Sequence, residues 1–184
     1  MIDLTEVERL LEEFVPGPHA HDRDSLAQTI ELLTEKVNPF DRTDYDPGHI
    51  TASAIVLSPD GASVVLVNHV RVGRWIQPGG HVEPDDPTLE QAARREVGEE
   101  TGLTLPAIAS PSLVRVDVHE IPAFKNEPGH LHHDLTFGFR ADVRETDTRG
   151  DSEWRWCAVT DLARYDVEPA LRRSIRHVRT LFWD

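Results

Sequence analysis

The sequence predicts an α/β fold with a helical extension at its N-terminus. Three observations carry that reading. Two stretches of helical apolar spacing come first, strand-like segments joined by turn residues follow, and one helix interrupts them directly after a glycine loop, Pro78-Gly79-Gly80.

Residues 3–15 read as a helix: Asp3 followed by Glu6 resembles a capping box, and Leu4, Val7, Leu10, Leu11 and Phe14 share one face. Pro16-Gly17-Pro18 ends it. A second helix is predicted from Asp24 to Val37, with Leu26, Ile30, Leu33 and Val37 inward and Asn38-Pro39 as its stop. His19 and His21, in the connection, read as solvated. Residues 1–40 are thus expected as the helical extension and 41–184 as the main domain. The helix pair reads as a cover for one sheet edge, as support for a homodimer, or as a substrate-selecting lid.

Residues 40–48 form a polar linker. Ile50–Leu57 and Ser63–Asn68 read as strands joined by Ser58-Pro59-Asp60-Gly61, a turn with proline second and Asp-Gly after it. Arg71 to Gly73 then direct the chain toward Trp75 and the glycine loop, where Gly79-Gly80 permits close approach of backbone to a ligand. Trp75 has two readings, core packing or a platform beside a substrate.

Past the central helix, Thr104–Pro111 is a connection. Leu113–Ile121 alternates, Val114, Val116 and Val118 against Arg115, Asp117 and His119. After a loop, Leu131–Val143 alternates again, Leu135, Phe137, Phe139, Ala141 and Val143 against Asp134, Thr136 and Arg140. These predict a hairpin whose polar face (Arg115, Asp117, His119, His132, Asp134, Arg140) lines a cleft or meets solvent. His130-Leu131-His132-His133-Asp134 does not read as a structural zinc site, because no cysteine or further histidine stands at metal-site spacing. Histidines bonding to a phosphate or to metal-bound carboxylates fit better. Glu145–Ser152 is a polar turn, Glu153–Val159 a strand, and Thr160-Asp161-Leu162 a helical turn. Glu168–Phe182 is the last helix, with Pro169 in its first turn, Leu171, Ile175, Val178 and Phe182 inward, and Arg172, Arg173, Arg176 and Arg179 solvated.

Composition narrows the function classes. A chain of 184 residues buries a sizeable core, and 39% hydrophobic with 28% charged residues is ordinary for a globular protein. A net charge of −14 argues against binding a nucleic-acid polymer, whose phosphates need neutralising. The single cysteine, Cys157, excludes an internal disulfide and fits a reducing compartment. No apolar run approaches a membrane span, and Met1-Ile2-Asp3-Leu4 does not open a signal peptide, so a cytoplasmic location is expected.

The central helix carries the chemistry. Projected at about 100° per residue, Leu89, Ala92, Ala93 and Val97 make an apolar stripe. Glu96 and Glu100 fall on that stripe, Glu99 at its margin, and Arg95 elsewhere. Carboxylates near a helix C-terminus oppose the macrodipole, and half-inward they repel one another and lose solvation unless a cation sits among them. Oxygen-only ligands suit Mg²⁺ or Mn²⁺, ions that retain waters and hold phosphate.

Arg95-Glu96-Val97-Gly98-Glu99-Glu100-Thr101-Gly102-Leu103 resembles the second half of the Nudix box at every defined position, and Trp75-Ile76-Gln77-Pro78-Gly79-Gly80 resembles its lead-in. The box usually places a glutamate six residues after its first glycine and the arginine eight after that; here the sixth residue from Gly80 is Asp86, and Arg95 follows nine later, so the loop is one residue longer with Asp for Glu. The resemblance implies an α/β/α sandwich with a mixed sheet over 41–184. It implies metal held by Gly80, Glu96, Glu99 and Glu100, with a glutamate, Glu99, as base. Arg95 supports by pinning carboxylates; Gly79 and, in the second of its two readings, Trp75 are the candidates to stand beside the substrate. A further acid is sought among Glu120, Glu127 and Glu153, the last in a segment resembling the late Nudix Glu-x-x-Trp. The implied reaction is Mg²⁺-dependent hydrolysis of a diphosphate bond in a small nucleotide derivative, by in-line attack of water on phosphorus. Two other classes share the fold. One is a silent nucleotide-sensing module, expected to lose box glutamates that this chain keeps. The other is an isoprenyl-diphosphate isomerase, which needs a cleft cysteine, whereas Cys157 reads as a small buried residue.

Overall fold

A computed structural model describes residues 2–70, 73–106, 112–144, 146 and 148–183. The expected turn at Arg71 and Val72, the connection over 107–111 and Glu145 lie outside the described residues. The fold is a mixed sheet between helices, an α/β/α sandwich.

Its strands are β1 (Gly48–Leu57), β2 (Ser63–His69), β3 (Arg74–Ile76), β4 (Gly79–His81), β5 (Leu113–Ile121), β6 (His130–Arg140) and β7 (Trp154–Ala158). They run in the order β3-β2-β1-β6-β5, with β4 also pairing β1 and β7 pairing β2. β1 and β6 are parallel from Gly48↔Leu131 to Leu57↔Arg140, and the other pairings are antiparallel. The helices are α1 (Leu4–Glu13), α2 (Ala20–Glu35), α3 (Leu89–Thr101) and α4 (Pro169–Trp183), with a 3-10 segment at Val159–Tyr165.

β1 is buried along its whole length, so its alternation serves two layers. Ile50, Ala52, Ala54 and Val56 join Leu135, Phe137 and Phe139 of β6 in one core, against Leu89, Ala92, Ala93 and Val97 of α3 and Val7, Leu10, Leu11, Leu32 and Leu33 of α1 and α2. Ile55 and Leu57 join Val64, Leu66 and Cys157 in a second core beneath Leu171, Ile175 and Val178 of α4. Each large side chain fully buried in these cores, such as Phe137 in the first, contributes about 1.5–3 kcal/mol relative to exposure. The other odd-numbered positions of β1 are His49, Thr51 and Ser53, so one end of this face is polar and buried.

Four expectations are corrected. α2 begins earlier than Asp24, because the Asp22 carboxylate accepts the His19 N–H at 3.3 Å and closes its first turn. Its inward face is also turned: Ile30 is 42% exposed and Val37 97%, while Ser25 and Thr29 are buried. Ser25 Oγ accepts the Val118 N–H of β5 at 3.0 Å, and Thr29 Oγ1 lies 3.1 Å from His133 Nδ1, so long-range hydrogen bonds outrank the apolar stripe. On β5, a bulge between Leu113 and Arg115 moves Val114 under α4 while Val116 stays in the first core. Val143, beyond the end of β6, is exposed.

α3 ends at Gly102, whose φ of 72° is left-handed and whose N–H reaches the Gly98 carbonyl. The chain around residue 150 then docks on this end. Asp151 N–H donates to the Glu99 carbonyl at 2.8 Å and Ser152 N–H to the Glu100 carbonyl at 3.2 Å, satisfying carbonyls that a helix end otherwise leaves unpaired. A Cβ at Gly150 would lie 2.1 Å from the Glu100 backbone. Gly150→Ala is therefore expected to destabilise the fold by about 1–3 kcal/mol, read as a lowered urea midpoint; an unchanged midpoint would show that this contact yields freely.

Candidate functional site

β4 lies antiparallel on β1 with Gly80 opposite Ala52 and Gly79 opposite Ser53, beside the last turns of α3. There is no room for side chains here. A Cβ at Gly80 would stand 2.7 Å from the Glu96 carboxylate, and one at Gly79 would stand 2.6 Å from Ser53 Cα. Gly80 thus leaves β4 open to the Glu96 side chain of α3, and Gly79 lets β4 lie close on Ser53 of β1.

The three glutamates divide by environment. Glu100 is held on both oxygens: Gly79 N–H donates to Oε2 at 2.9 Å and Ser152 Oγ–H to Oε1 at 3.0 Å. Burial raises its pKa above the ordinary value, against the pull of those two donors. The Glu96 side chain is 13% exposed, and burial pushes its pKa up to about 7 in spite of the Arg95 hydrogen bond, with the Glu99 and Glu100 charges adding to the rise. Glu99 is half-exposed.

Arg95 ties these groups together. Its Nη1 donates to Glu96 Oε1 and Glu99 Oε2, each at 2.9 Å. The rest of the guanidinium forks onto Asp86, Nε to Oδ1 at 3.1 Å and Nη2 to Oδ2 at 3.0 Å, and Nη2 also reaches the His81 carbonyl at 2.8 Å. Asp86 is buried and accepts the Glu83 N–H at 2.8 Å. The acid of the lengthened loop is thus the anchor of Arg95.

Oxygen-only donors on a desolvated flank, tight against Gly80, fit a hard divalent cation. Among the described residues the three carboxylates do not converge to within 4.8 Å of one another; the three ligating side chains that do are His49, His81 and His132. Arg95 stands between Glu96 and Glu99 instead.

The polar face of the β5–β6 hairpin is drawn inward. Asp134 is buried and accepts from Thr51 Oγ1 at 3.1 Å, Ser53 Oγ at 2.5 Å, Thr136 Oγ1 at 3.0 Å and Gln77 Nε2 at 3.4 Å. Asp117 contacts Arg115 and His21 at 2.8 Å and His119 at 3.0 Å. Burial alone would raise its pKa, but His119, Arg115 and His21 outweigh it and hold the carboxyl below the usual carboxylate range. His21 is thus not merely solvated. Arg140 leaves this group, bonding the Pro59 carbonyl and lying under Trp183.

The remaining candidates are dispersed. Trp75 packs against the second core, Tyr165 edge-on to it at 5.9 Å and Arg155 over its face at 4.4 Å. Glu120 is exposed on β5 opposite Leu131. Glu127 lines a small cavity with Arg42, Tyr45, His81, His130 and His132. Glu153 is exposed and accepts from Asn68 at 2.9 Å and Arg155 at 2.6 Å. Cys157 is fully buried in the second core, where burial pushes its thiol up to about 11. Two contributors escaped the sequence reading: Ser152, remote in sequence from the Glu100 it holds, and His49, in no recognisable motif.

A family model described as NUDIX domain matches residues 47–178. Among solved structures the chain is similar to a MutT protein from Methanosarcina mazei Go1, at 21% identity and TM-score 0.46 over 73% of this chain and 95% of that one. It is similar to the C. elegans Ap4A hydrolase at 18% identity and TM-score 0.46, over 73% of this chain and 98% of that one. A NUDIX-family hydrolase from Clostridium perfringens matches at 17% identity and TM-score 0.48, over 72% of this chain and 97% of that one.

The Glu96 pKa has a consequence for stability. With a folded pKa near 7 against an ordinary glutamate value of 4.5, the folded state holds more proton than the unfolded state between those limits, so ionising Glu96 lowers stability as pH rises through them. In chelator-treated protein, Glu96→Gln should gain urea stability relative to wild type as pH climbs across this window; parallel pH profiles for the two proteins would remove Glu96 as a strained carboxylate.

Proposed function

This chain belongs to the Nudix family, whose members are hydrolases of diphosphate bonds, and we propose that it cleaves such a bond in a small nucleotide derivative using Mg²⁺, with Mn²⁺ as a substitute. One observation carries the reading: the carboxylates of Glu96 and Glu100 are desolvated on the inward flank of α3, with Glu96 tight against Gly80 of β4.

Glu96, Glu99, Glu100 and the Gly80 carbonyl are the groups that would hold the metal. When bound, it supplies neutralisation and polarisation of phosphoryl oxygens and a more acidic water. The protein's own contribution is order. Asp86 fixes Arg95, Arg95 fixes the orientation of Glu96 and Glu99, and Gly79 with Ser152 fixes Glu100. Glu99, half-exposed and held on one oxygen by Arg95, is the base that takes the proton of the attacking water. Attack on phosphorus is in line, and the other phosphoryl fragment departs opposite the water. A chain of net charge −14 repels a polyphosphate, so cations at the site and nearby arginines supply the attraction.

The same features weigh against the two other classes. All three box glutamates are present, unlike a module expected to have lost catalysis. Cys157 is fully buried, not a cleft thiol as an isomerase of this fold requires. Gly79 stands beside the substrate, while Trp75, covered by Arg155 and Tyr165, fits packing better than a platform. The proposed boundaries remain an extension over 1–40 and a hydrolase domain over 41–184. Among the described residues no helix is long and apolar enough to cross a membrane; a cytoplasmic site of action and a homodimer complete the proposal.

A screen of nucleoside diphosphate derivatives, with phosphatase coupling to detect released phosphate, would identify the substrate. On it, Glu99→Gln and Glu100→Gln should each lower Mg²⁺-dependent turnover by about 10²–10⁴-fold while circular dichroism and melting stay near wild type. Near wild-type turnover in both variants would overturn the assignment of the site.

A further inference from the structure

Imidazoles from three strands meet beside the glycine strand. His49 of β1, His81 of β4 and His132 of β6 each bring a ring nitrogen within 4.8 Å of the other two. Ring centroids are 5.1 Å apart for His49 and His81, 4.9 Å for His49 and His132, and 5.2 Å for His81 and His132. The planes are inclined by 40°, 52° and 82°, so the rings fan about a common centre and none lies flat on another. Strand pairing imposes this. Parallel register sets His49 beside His132, and His81 pairs with Thr51, one step along the same face of β1 as His49.

The nitrogens are prepared for a ligand. His49 is fully buried, and its Nδ1–H donates to the Asp44 carbonyl at 3.1 Å. That bond leaves the lone pair on Nε2, and Nε2 is buried with no hydrogen-bond partner. A carbonyl holding the far nitrogen is how a ligating histidine is oriented toward a metal. His130 repeats the pattern: Nδ1–H donates to the Pro128 carbonyl at 2.9 Å, and Nε2 stands 3.2 Å from His132 Nε2. Two nitrogens on one tetrahedral zinc, each bound at 2.0–2.1 Å, lie about 3.3 Å apart.

Two of the three, His81 and His132, also line a cavity of about 30 Å³ with Arg42, Tyr45, Glu127 and His130, room for one ion or one water. Arg42 is the unfavourable neighbour of a dication, offset by Glu127 on the same wall and by Glu83, 3.9 Å from the guanidinium.

We propose that His49, His81 and His132 form a zinc site separate from the carboxylates of α3, with His130, Glu127 or water in the fourth position. Three neutral imidazoles suit Zn²⁺ and related transition metals, whereas Mg²⁺ demands oxygen. The site goes beyond the hydrolase reading and does not depend on it. Bound zinc ties β1 and β6 to β4, closing one end of the polar face.

The test uses the full chain, stripped with chelator, desalted and held in excess Mg²⁺. Titration with Zn²⁺ by calorimetry and with Co²⁺ by visible absorption should show one equivalent per chain, intense tetrahedral Co²⁺ bands and a raised melting temperature. His132→Gln and the half-buried His81→Gln should each weaken binding at least tenfold. Glu96→Gln, and His177→Ala on the exposed side of α4, should leave it unchanged. Circular dichroism identifies the folded variants, and His81→Gln, the less buried site, decides if His132→Gln misfolds. Absence of stoichiometric binding by the wild type, undiminished binding by a folded histidine variant, or loss of binding in Glu96→Gln would each overturn the proposal; turnover plays no part in the readout.

Discussion

The site depends on how closely α3 can approach β4. Gly80 leaves room for Glu96 of α3 against β4, Gly79 lets β4 lie close on β1, and in this tight packing Glu96 and Glu100 are desolvated. Burial of like charges is unfavourable by itself. It is tolerated because Arg95, itself held by Asp86, donates to Glu96, because Gly79 and Ser152 donate to Glu100, and because the apolar stripe of α3 is anchored in the main core. The same packing that stabilises the helix therefore holds its carboxylates in a strained ionisation state, one that a cation would relieve.

Much of this was legible in the residues. The stripe Leu89, Ala92, Ala93 and Val97, with Glu96 and Glu100 half inward, follows from helical geometry, and the structure buries it so. The role of Asp86 could be narrowed by its spacing but not assigned, since which group fills a lengthened loop is decided by the partner it finds, here Arg95. Local pattern failed where a distant partner decided. Ser25 and Thr29 displaced Ile30 from the inner face of α2 by bonding β5 and β6, and a bulge in β5 placed Val114 and Val116 in different cores. The histidine trio is the clearest case. Its members lie on strands far apart in the chain, so no spacing rule brings them together.

The two polar systems are neighbours with different chemistry. Oxygen donors gather on the helix side of β4, at Gly80 and Glu96, while nitrogen donors gather through His81 with His49 and His132. Arg95 touches both residues of this boundary, donating to the His81 carbonyl and to Glu96. Donors suited to hard and to borderline cations thus lie on either side of two consecutive residues of β4, Gly80 and His81.

β1 draws these threads together, since neighbouring residues in it belong to opposite sides of the sheet. Ile50, Ala52 and Ala54 face one core while His49, Thr51 and Ser53 supply the buried polar side. A slip of one residue would send every member of each set through the sheet at once, imidazole and hydroxyls into hydrocarbon and aliphatic groups among the acids. This strand can therefore drift in evolution by exchange of residues but not by gain or loss of one, and its length is the least negotiable dimension of the molecule.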